Sequence, residues 1–304
     1  MAEPASSESR CGFVALIGAP NVGKSTLINA LVGAKVSIVT PKAQTTRALI
    51  RGIAVDSPAQ LILVDTPGIF APRRRLDRAM VATAWSGAHD ADIVALMVDA
   101  KRGLDDETAA IAAKLADVAT PKILVVNKVD LVEKTTLLAL VKDVTERASF
   151  AATFMVSALT GDGVADLKHW LAAEAPAGPW HYPEDQIMDA PLRQLAAEIT
   201  REKLYLRLHQ ELPYQSTVET TDWKELKDGS VRIEQTIFVE RASQRKIVLG
   251  RNGQTIRAIG AQARREIAEI LEQKVHLFLF VKVREAWGDD PERYREIGLE
   301  FPTD

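Results

Sequence analysis

Cysteine is nearly absent: Cys11 is the only one in 304 residues. An intrachain disulfide is therefore excluded, which fits a reducing compartment. Cys11 stands just before an apolar run and reads as a strand-edge residue. The chain also lacks a large excess of either charge, with a formal net charge of −3. The whole molecule is thus not a basic nucleic-acid binder, and any such binding must come from a local patch. No uninterrupted apolar run reaches the roughly 18 residues of a membrane-spanning helix. The first ten residues, Met1 to Arg10, include Ser6, Ser7 and Ser9 and have no apolar core like that of a secretory signal. They are expected to form a loose tail. His89, His169, His181, His209 and His276 are scattered without metal-ligand spacing. There is no internal repeat and no low-complexity segment. These absences predict a cytoplasmic protein, with peripheral membrane contact left open.

What is present is an ordinary globular composition, 47% hydrophobic and 26% charged, long enough for two domains. From residue 12 to 175, short apolar β-rich runs alternate with helical patterns. Strands are expected at Phe13–Ile17, Leu49–Val55, Leu61–Val64, Ile93–Val98, Ile123–Val126 and Thr153–Val156. Helices are expected at Lys24–Val32, Leu76–Ala88, Asp106–Val118, Lys134–Arg147 and Val164–Glu174. This alternation predicts an α/β domain with a mainly parallel sheet. Residues 1–11 are the expected tail. Pro176, Pro179 and Pro183 mark 176–188 as a semi-stiff linker. In 189–304 the order changes to α-β-β-α-α-β. It comprises a helix over Pro191–Gln210, strands over Tyr214–Trp223 and Ser230–Glu240 around a turn at Lys227–Ser230, helices over Gln244–Leu249 and Gln254–Glu272, and a strand over Val275–Val283.

The segment Gly18-Ala19-Pro20-Asn21-Val22-Gly23-Lys24-Ser25 fits G-x-x-x-x-G-K-[ST] between a strand and a helix. Its glycines let backbone N–H groups wrap a phosphate, with the helix N-terminus behind them. Lys24 is expected to reach the β- and γ-phosphates, and Ser25 to hold Mg²⁺. Asp65-Thr66-Pro67-Gly68 follows another strand, placing Asp65 at the metal and the Gly68 N–H at the γ-phosphate. Asn127-Lys128-Val129-Asp130 supplies the base reading. A carboxylate at Asp130 accepts hydrogen bonds from the N1–H and N2–H₂ of guanine, which adenine does not offer there. Asn127 is expected on the N7 side, the Lys128 stem along the base, and the Ala158 N–H of Ser157-Ala158-Leu159 on O6. The nucleotide set is thus Gly18, Asn21, Val22, Gly23, Lys24, Ser25, Thr26, Asp65, Gly68, Asn127, Lys128, Asp130, Ser157, Ala158 and Leu159.

Pro41 to Arg47 reads as a switch segment whose threonine closes over Mg²⁺. Thr46 is favoured over Thr45. The catalytic set is Lys24, Thr46, Gly68 and Asn21. Where Ras-like enzymes carry a water-orienting glutamine, this chain has Ile69. Turnover is therefore expected to be slow and to use another route. Arg73-Arg74-Arg75 reads as a solvated charge run, with an RNA contact as the alternative. Trp287 and the tail Gly288–Asp304 carry no assigned chemistry.

Late in the chain, Gly250-Arg251-Asn252-Gly253 is a G-x-x-G turn between two helical stretches, the feature with which a KH domain clamps about four nucleotides. Residues 241–265 contain seven arginines and lysines and no acid. The expected RNA contacts are Arg245, Lys246, Gly250, Arg251, Asn252, Gly253 and Arg257. Asn252, where glycine is commoner, is expected to restrict the turn slightly.

Together these segments resemble the Era family within the TrmE-Era-EngA-like GTPases, across nearly the whole chain. The resemblance implies a P-loop GTPase domain followed by a type II-like KH domain. It further implies GTP or GDP and Mg²⁺ as cofactors, binding of the 3′ end of 16S rRNA and the 30S subunit, and loose inner-membrane association of a monomer. Asn21 is similar to the loop asparagine of relatives that use K⁺ beside the phosphates. Two other readings stay open. One is an RNA-binding chaperone with GTP as a structural ligand, and the other is a membrane-associated signalling GTPase.

Overall fold

The computed structural model describes residues 9–302 except 43, 44, 48, 73, 209–211, 213, 214, 286–290, 292, 293 and 295–298. The expected tail residues 1–8, Gln44, Arg73, Tyr214 and Trp287 lie outside the described residues. The chain divides into two compact units. One comprises Met1–Ser37, Thr46–Asp189 and Ile297–Asp304, and the other Ile38–Thr45 and Ala190–Glu296.

The first unit holds β1 (Arg10–Ile17), α1 (Lys24–Val32), β2 (Ile50–Asp56), β3 (Ala59–Asp65), α2 (Arg75–His89), β4 (Ile93–Asp99), α3 (Asp106–Leu115), β5 (Lys122–Asn127), α4 (Lys134–Thr145), β6 (Ala152–Val156) and α5 (Val164–Glu174). Its six strands run in the order β2-β3-β1-β4-β5-β6. Only β2 is antiparallel to its neighbour. Strands β3 and β4 are buried at every position, as covered central strands must be. Because β3, β1, β4, β5 and β6 run the same way, their carboxyl ends share one edge of the sheet. Asp65 pairs in register with Leu16, and Asn127 with both Asp99 and Val156. That edge is where open α/β sheets bind ligands.

Three expectations need correction here. Arg10 and Cys11 belong to β1, and the Arg10 guanidinium donates to Ala173 O and Ala175 O. Helices α3 and α4 stop at Leu115 and Thr145, short of the expected Val118 and Arg147. The stretch 176–188 is not a free spacer. Its backbone bonds join Cys11 to Pro176 and Ile53 to Ile187, and Asp189 donates to Arg51 O. Gln60 Oε1 accepts the His181 and Tyr182 N–H groups. Unpaired edge groups of β2 are satisfied this way, which a sequence of prolines alone does not announce.

The second unit holds α6 (Leu192–Arg207), β7 (Ser216–Glu225), β8 (Val231–Val239), α7 (Ala242–Leu249), α8 (Gln254–Leu271) and β9 (Val275–Val283). The expected element order is present. Helix α6 is shorter than expected, with Pro191 as its N-cap, and β7 runs on to Glu225 through an irregularity at Thr220/Asp222. The sheet order is β7-β8-β9, antiparallel then parallel. Leu204, Tyr205, Val218, Ile237, Val239, Val248, Ile259 and Val281 form one core between the helices and one sheet face. Helix α7 begins at Ala242, two residues early, because Gln244 Oε1 accepts the Arg241 N–H.

Candidate functional site

The loop after β1 leads straight into α1, whose N-cap is Gly23 at φ 100° with no capping side chain. The first N–H groups of α1 are thus left for another acceptor. A Cβ on Gly23 would lie 2.3 Å from Asn127 Nδ2, so only glycine lets the two loops approach this closely. Lys24 is buried, and its Nζ donates to Gly18 O and Ala19 O at 3.1 Å each. Burial pulls its pKa down to about 8, against the opposing pull of Asp65. A phosphate is the partner that would restore the charge.

Above about pH 8, Lys24 is largely neutral before nucleotide arrives, and a bound phosphate makes it take up a proton from solvent. Apparent GTP affinity is therefore expected to fall about tenfold from pH 7 to pH 9, with proton uptake on binding. Calorimetry in two buffers of different ionisation enthalpy measures that uptake. Binding at the upper end with no proton exchange would count against the role of Lys24.

Asp65 is wholly buried, and burial raises its pKa against the hydrogen bonds it accepts. Its Oδ2 accepts from Ser25 Oγ at 2.6 Å, Ser37 Oγ at 2.6 Å and Thr46 Oγ1 at 3.2 Å. Its Oδ1 is buried with no hydrogen-bond partner. An orphaned carboxylate oxygen beside three hydroxyls is a hard oxygen donor set, and it fits Mg²⁺. Thr45 stands elsewhere: its Oγ1 pairs with Thr40 Oγ1 at 2.6 Å and donates to Lys42 O at 2.8 Å. Replacing Thr46 by Ala is expected to lower Mg²⁺-dependent turnover about tenfold or more, while Thr45→Ala changes it little. A single-turnover assay across Mg²⁺ concentrations decides, and equal effects would break the assignment.

Ser37 was not among the candidate residues. Asn29 holds it in place, accepting from the Val36 and Ser37 N–H groups and donating to Ser37 O. A serine in an apolar run was the only signal. Gly68 precedes Ile69, whose N–H donates to Gly18 O at 3.0 Å. The Ile69 side chain is buried and lines an apolar cleft with Phe70, Trp85 and Ile111. It offers water no hydrogen bond.

On the base side, Asn127 ties two loops together. Its Nδ2 donates to Val22 O at 2.8 Å and its Oδ1 accepts the Ala158 N–H at 3.0 Å. The amide thus spans the gap between neighbouring strand ends. Lys128, at φ 64°, donates from Nζ to Asn21 O and to Asp99 Oδ2, both at 2.6 Å. Asp99, absent from the candidates, fixes that ammonium group while also accepting from the Lys101 N–H. The Asp130 carboxylate is exposed and has no hydrogen-bond partner among the described residues. Ser157 closes its own turn by accepting from Thr160 N, while Leu159 is 82% exposed. Val22 is buried and Thr26 half-buried beside Ser25.

In the second unit, Gly250 adopts φ 71°, ψ 173° and Asn252 φ 51°, ψ 28°. Asn252 thus stands at a positive φ, which the commoner glycine adopts more freely. It occupies the left-handed region that asparagine tolerates better than most side chains. Arg245, Lys246, Arg251 and Asn252 are exposed. Arg257 donates to Gly253 O at 3.3 Å and to Asn252 O, so it braces the turn. Among the described residues, no group of three or more His, Cys, Asp or Glu is placed to hold a metal.

Residues 13–128 match a family model described as a 50S ribosome-binding GTPase, and residues 211–288 match one described as a KH domain. GTPase Era of Bradyrhizobium sp. (strain BTAi1) is 72% identical over 98% of this chain and 97% of its own. GTPase Era of Brucella suis biovar 1 is 65% identical over 99% and 97%.

The chain belongs to the Era family of GTPases.

A crystal structure of an Aquifex aeolicus Era variant bound to GDP·AlF₄⁻ covers 95% of this chain and 99% of its own at 36% identity, with a TM-score of 0.90. A second Era structure, with MgGDPNP and nucleotides 1506–1542 of 16S ribosomal RNA, matches equally well. This Era-family chain is accordingly a GTPase with a P-loop domain and a KH domain. It converts GTP and water to GDP and phosphate, with GTP or GDP and Mg²⁺ as cofactors.

Proposed function

We propose that this chain binds the 3′ end of 16S rRNA through the turn Gly250–Gly253 while GTP is bound, and that hydrolysis releases it during small-subunit assembly. The related Era structure with 16S nucleotides supports the choice of RNA. The acid-free stretch 241–265 supports the surface.

The observation that carries the switch is the membership of Ile38–Thr45 in the second unit, although the chain on both sides belongs to the first. There the Val39 N–H donates to Glu202 Oε1 at 2.9 Å, and Arg201 donates to Thr45 O at 2.6 Å. Lys42 Nζ donates to Tyr205 O and Leu208 O at the end of α6, where helix carbonyls have no partner within the helix. The flanking residues Ser37 and Thr46 hold Asp65. Closure of Ser37 and Thr46 over the metal side would thus pull on a segment fastened to α6.

In this reading Ser25, Thr46 and Asp65 hold Mg²⁺, which when bound offsets charge on the phosphate oxygens. Lys24 and the loop N–H groups bind and orient the phosphates, and the Gly68 N–H faces the γ-phosphate. Asp130 and Lys128 select and support guanine. Intrinsic turnover is slow because Ile69 positions no water. Asn21 recruits K⁺ as an added positive charge. Replacing Na⁺ by K⁺ at equal ionic strength should then raise the hydrolysis rate about tenfold or more, and an unchanged rate would remove potassium from the account.

The site of action is the cytoplasm, with peripheral contact at the inner membrane. Among the described residues no helix is long and apolar enough to cross a membrane. The RNA reading is tested by fluorescence anisotropy with a labelled 16S 3′-end oligonucleotide across a salt series. Affinity that falls with salt is expected. No measurable affinity at low salt would end it.

A further inference from the structure

Strand β9 is an edge strand whose two faces differ. Val281 enters the core and Leu279 packs against it, so Leu277, Leu279 and Val281 face the helices. His276, Phe278, Phe280 and Lys282 therefore point to the opposite face. Phe278 is 44% exposed and Phe280 47% exposed. Two bare phenylalanines on an edge strand are a liability that most proteins avoid unless something covers them.

The surrounding charge says what would cover them. From Lys274 to Arg284 the chain carries Lys274, His276, Lys282 and Arg284 and no acid. On neighbouring β8, Arg232 stacks 5.0 Å from the Phe278 ring centroid, and Arg284 lies 4.9 Å from that of Phe238. Two acids of this face are already engaged: Glu234 pairs with Arg232, and Asp222 with Lys224 and Arg232. Lys282 and Arg284 have no ion pair among the described residues. Exposed rings between unneutralised cations suit a ligand with flat faces and regular negative charge. Single-stranded RNA has both.

We propose that this outer sheet face is a second RNA surface, where bases stack on Phe278 and Phe280 and phosphates meet Lys282 and Arg284. The Gly250–Gly253 turn accounts for about four nucleotides. The outer face would take nucleotides beyond them. This inference rests on the RNA-binding reading of the second unit.

The test uses the full chain with a non-hydrolysable GTP analogue and two single-stranded RNAs. One has about six nucleotides of the 3′-end sequence, enough for the turn, and the other about twenty. The Phe278→Ser/Phe280→Ser double variant should bind the short RNA normally and the long one roughly ten- to a hundredfold more weakly. Unchanged affinity for the long RNA would overturn the proposal. So would equal loss for both RNAs together with a lowered melting temperature, since the defect would then be structural. A second variant reads stacking directly: Phe280→Trp should show fluorescence quenched by the long RNA and not by the short one. No quenching with either RNA, or loss of binding to a ribosomal protein alone, would assign the face to something other than RNA. If wild-type protein binds neither RNA, the RNA reading itself fails, a result distinct from failure of this surface.

Discussion

The Asp130→Asn variant is expected to lose GTP affinity by about two to four orders of magnitude and to gain affinity for xanthosine triphosphate. Asp130 offers two carboxylate oxygens, neither hydrogen-bonded among the described residues. Guanine presents N1–H and N2–H₂ to them. Two charge-assisted hydrogen bonds contribute about 1.5–3 kcal/mol each. An amide keeps one acceptor but turns an N–H₂ toward the guanine N2–H₂, so one attraction becomes a clash of donors. Xanthine carries a carbonyl at that position and accepts from the same amide. Titration of a fluorescent nucleotide with GTP and with xanthosine triphosphate measures both affinities. GTP affinity within threefold of wild type, about 0.6 kcal/mol, would mean that another group reads the base. Asn127 would be the next candidate, although both ends of its amide already join Val22 to Ala158.

Gly250→Ala is expected to abolish RNA binding at the turn while leaving GTP hydrolysis intact. The backbone angles of Gly250 lie in a region open essentially to glycine alone. A Cβ there would stand 2.1 Å from Thr255 Oγ1 and 2.8 Å from the Thr255 backbone N. The side chain can rotate away, but the backbone atom has to move with the first turn of α8. Strain of this kind costs about 1–3 kcal/mol before the clash is counted. The turn should relax to another shape, and affinity for the 3′-end RNA should fall about a hundredfold or more. The comparison variant Arg251→Ala removes one exposed cation and leaves the turn in place. It should weaken binding only modestly and reduce the salt slope by about one. If both variants behaved alike, the shape of the turn would carry little of the binding.

Much of this was readable in the chain beforehand. The phosphate loop, Asp65, Asn127, Lys128 and Asp130 sit at strand ends because continuous apolar runs place those strands side by side. Their spacing therefore carried their chemistry. The order of the second unit was legible for a similar reason, since its alternating strands and the Gly250–Gly253 turn are local signals. What stayed hidden depends on long-range neighbours. Ser37 and Asp99 look like ordinary polar residues until Asp65 and Lys128 are brought to them. Arg257 counted as one basic residue among seven, yet it is engaged in bracing the turn. Asn252 looked like a departure and proved suited to its positive φ. The attachment of Ile38–Thr45 to α6 was invisible, because Glu202, Arg201 and the α6 terminus are more than 150 residues away in sequence.

That attachment is where the central claim stands or falls. The direct measurement is the affinity of the full chain for a 16S 3′-end RNA in three states: with a non-hydrolysable GTP analogue, with GDP and without nucleotide. The account predicts the tightest binding with the GTP analogue, by about tenfold or more over GDP. Equal affinity in all three states would contradict it and leave GTP as a structural ligand of an RNA-binding protein.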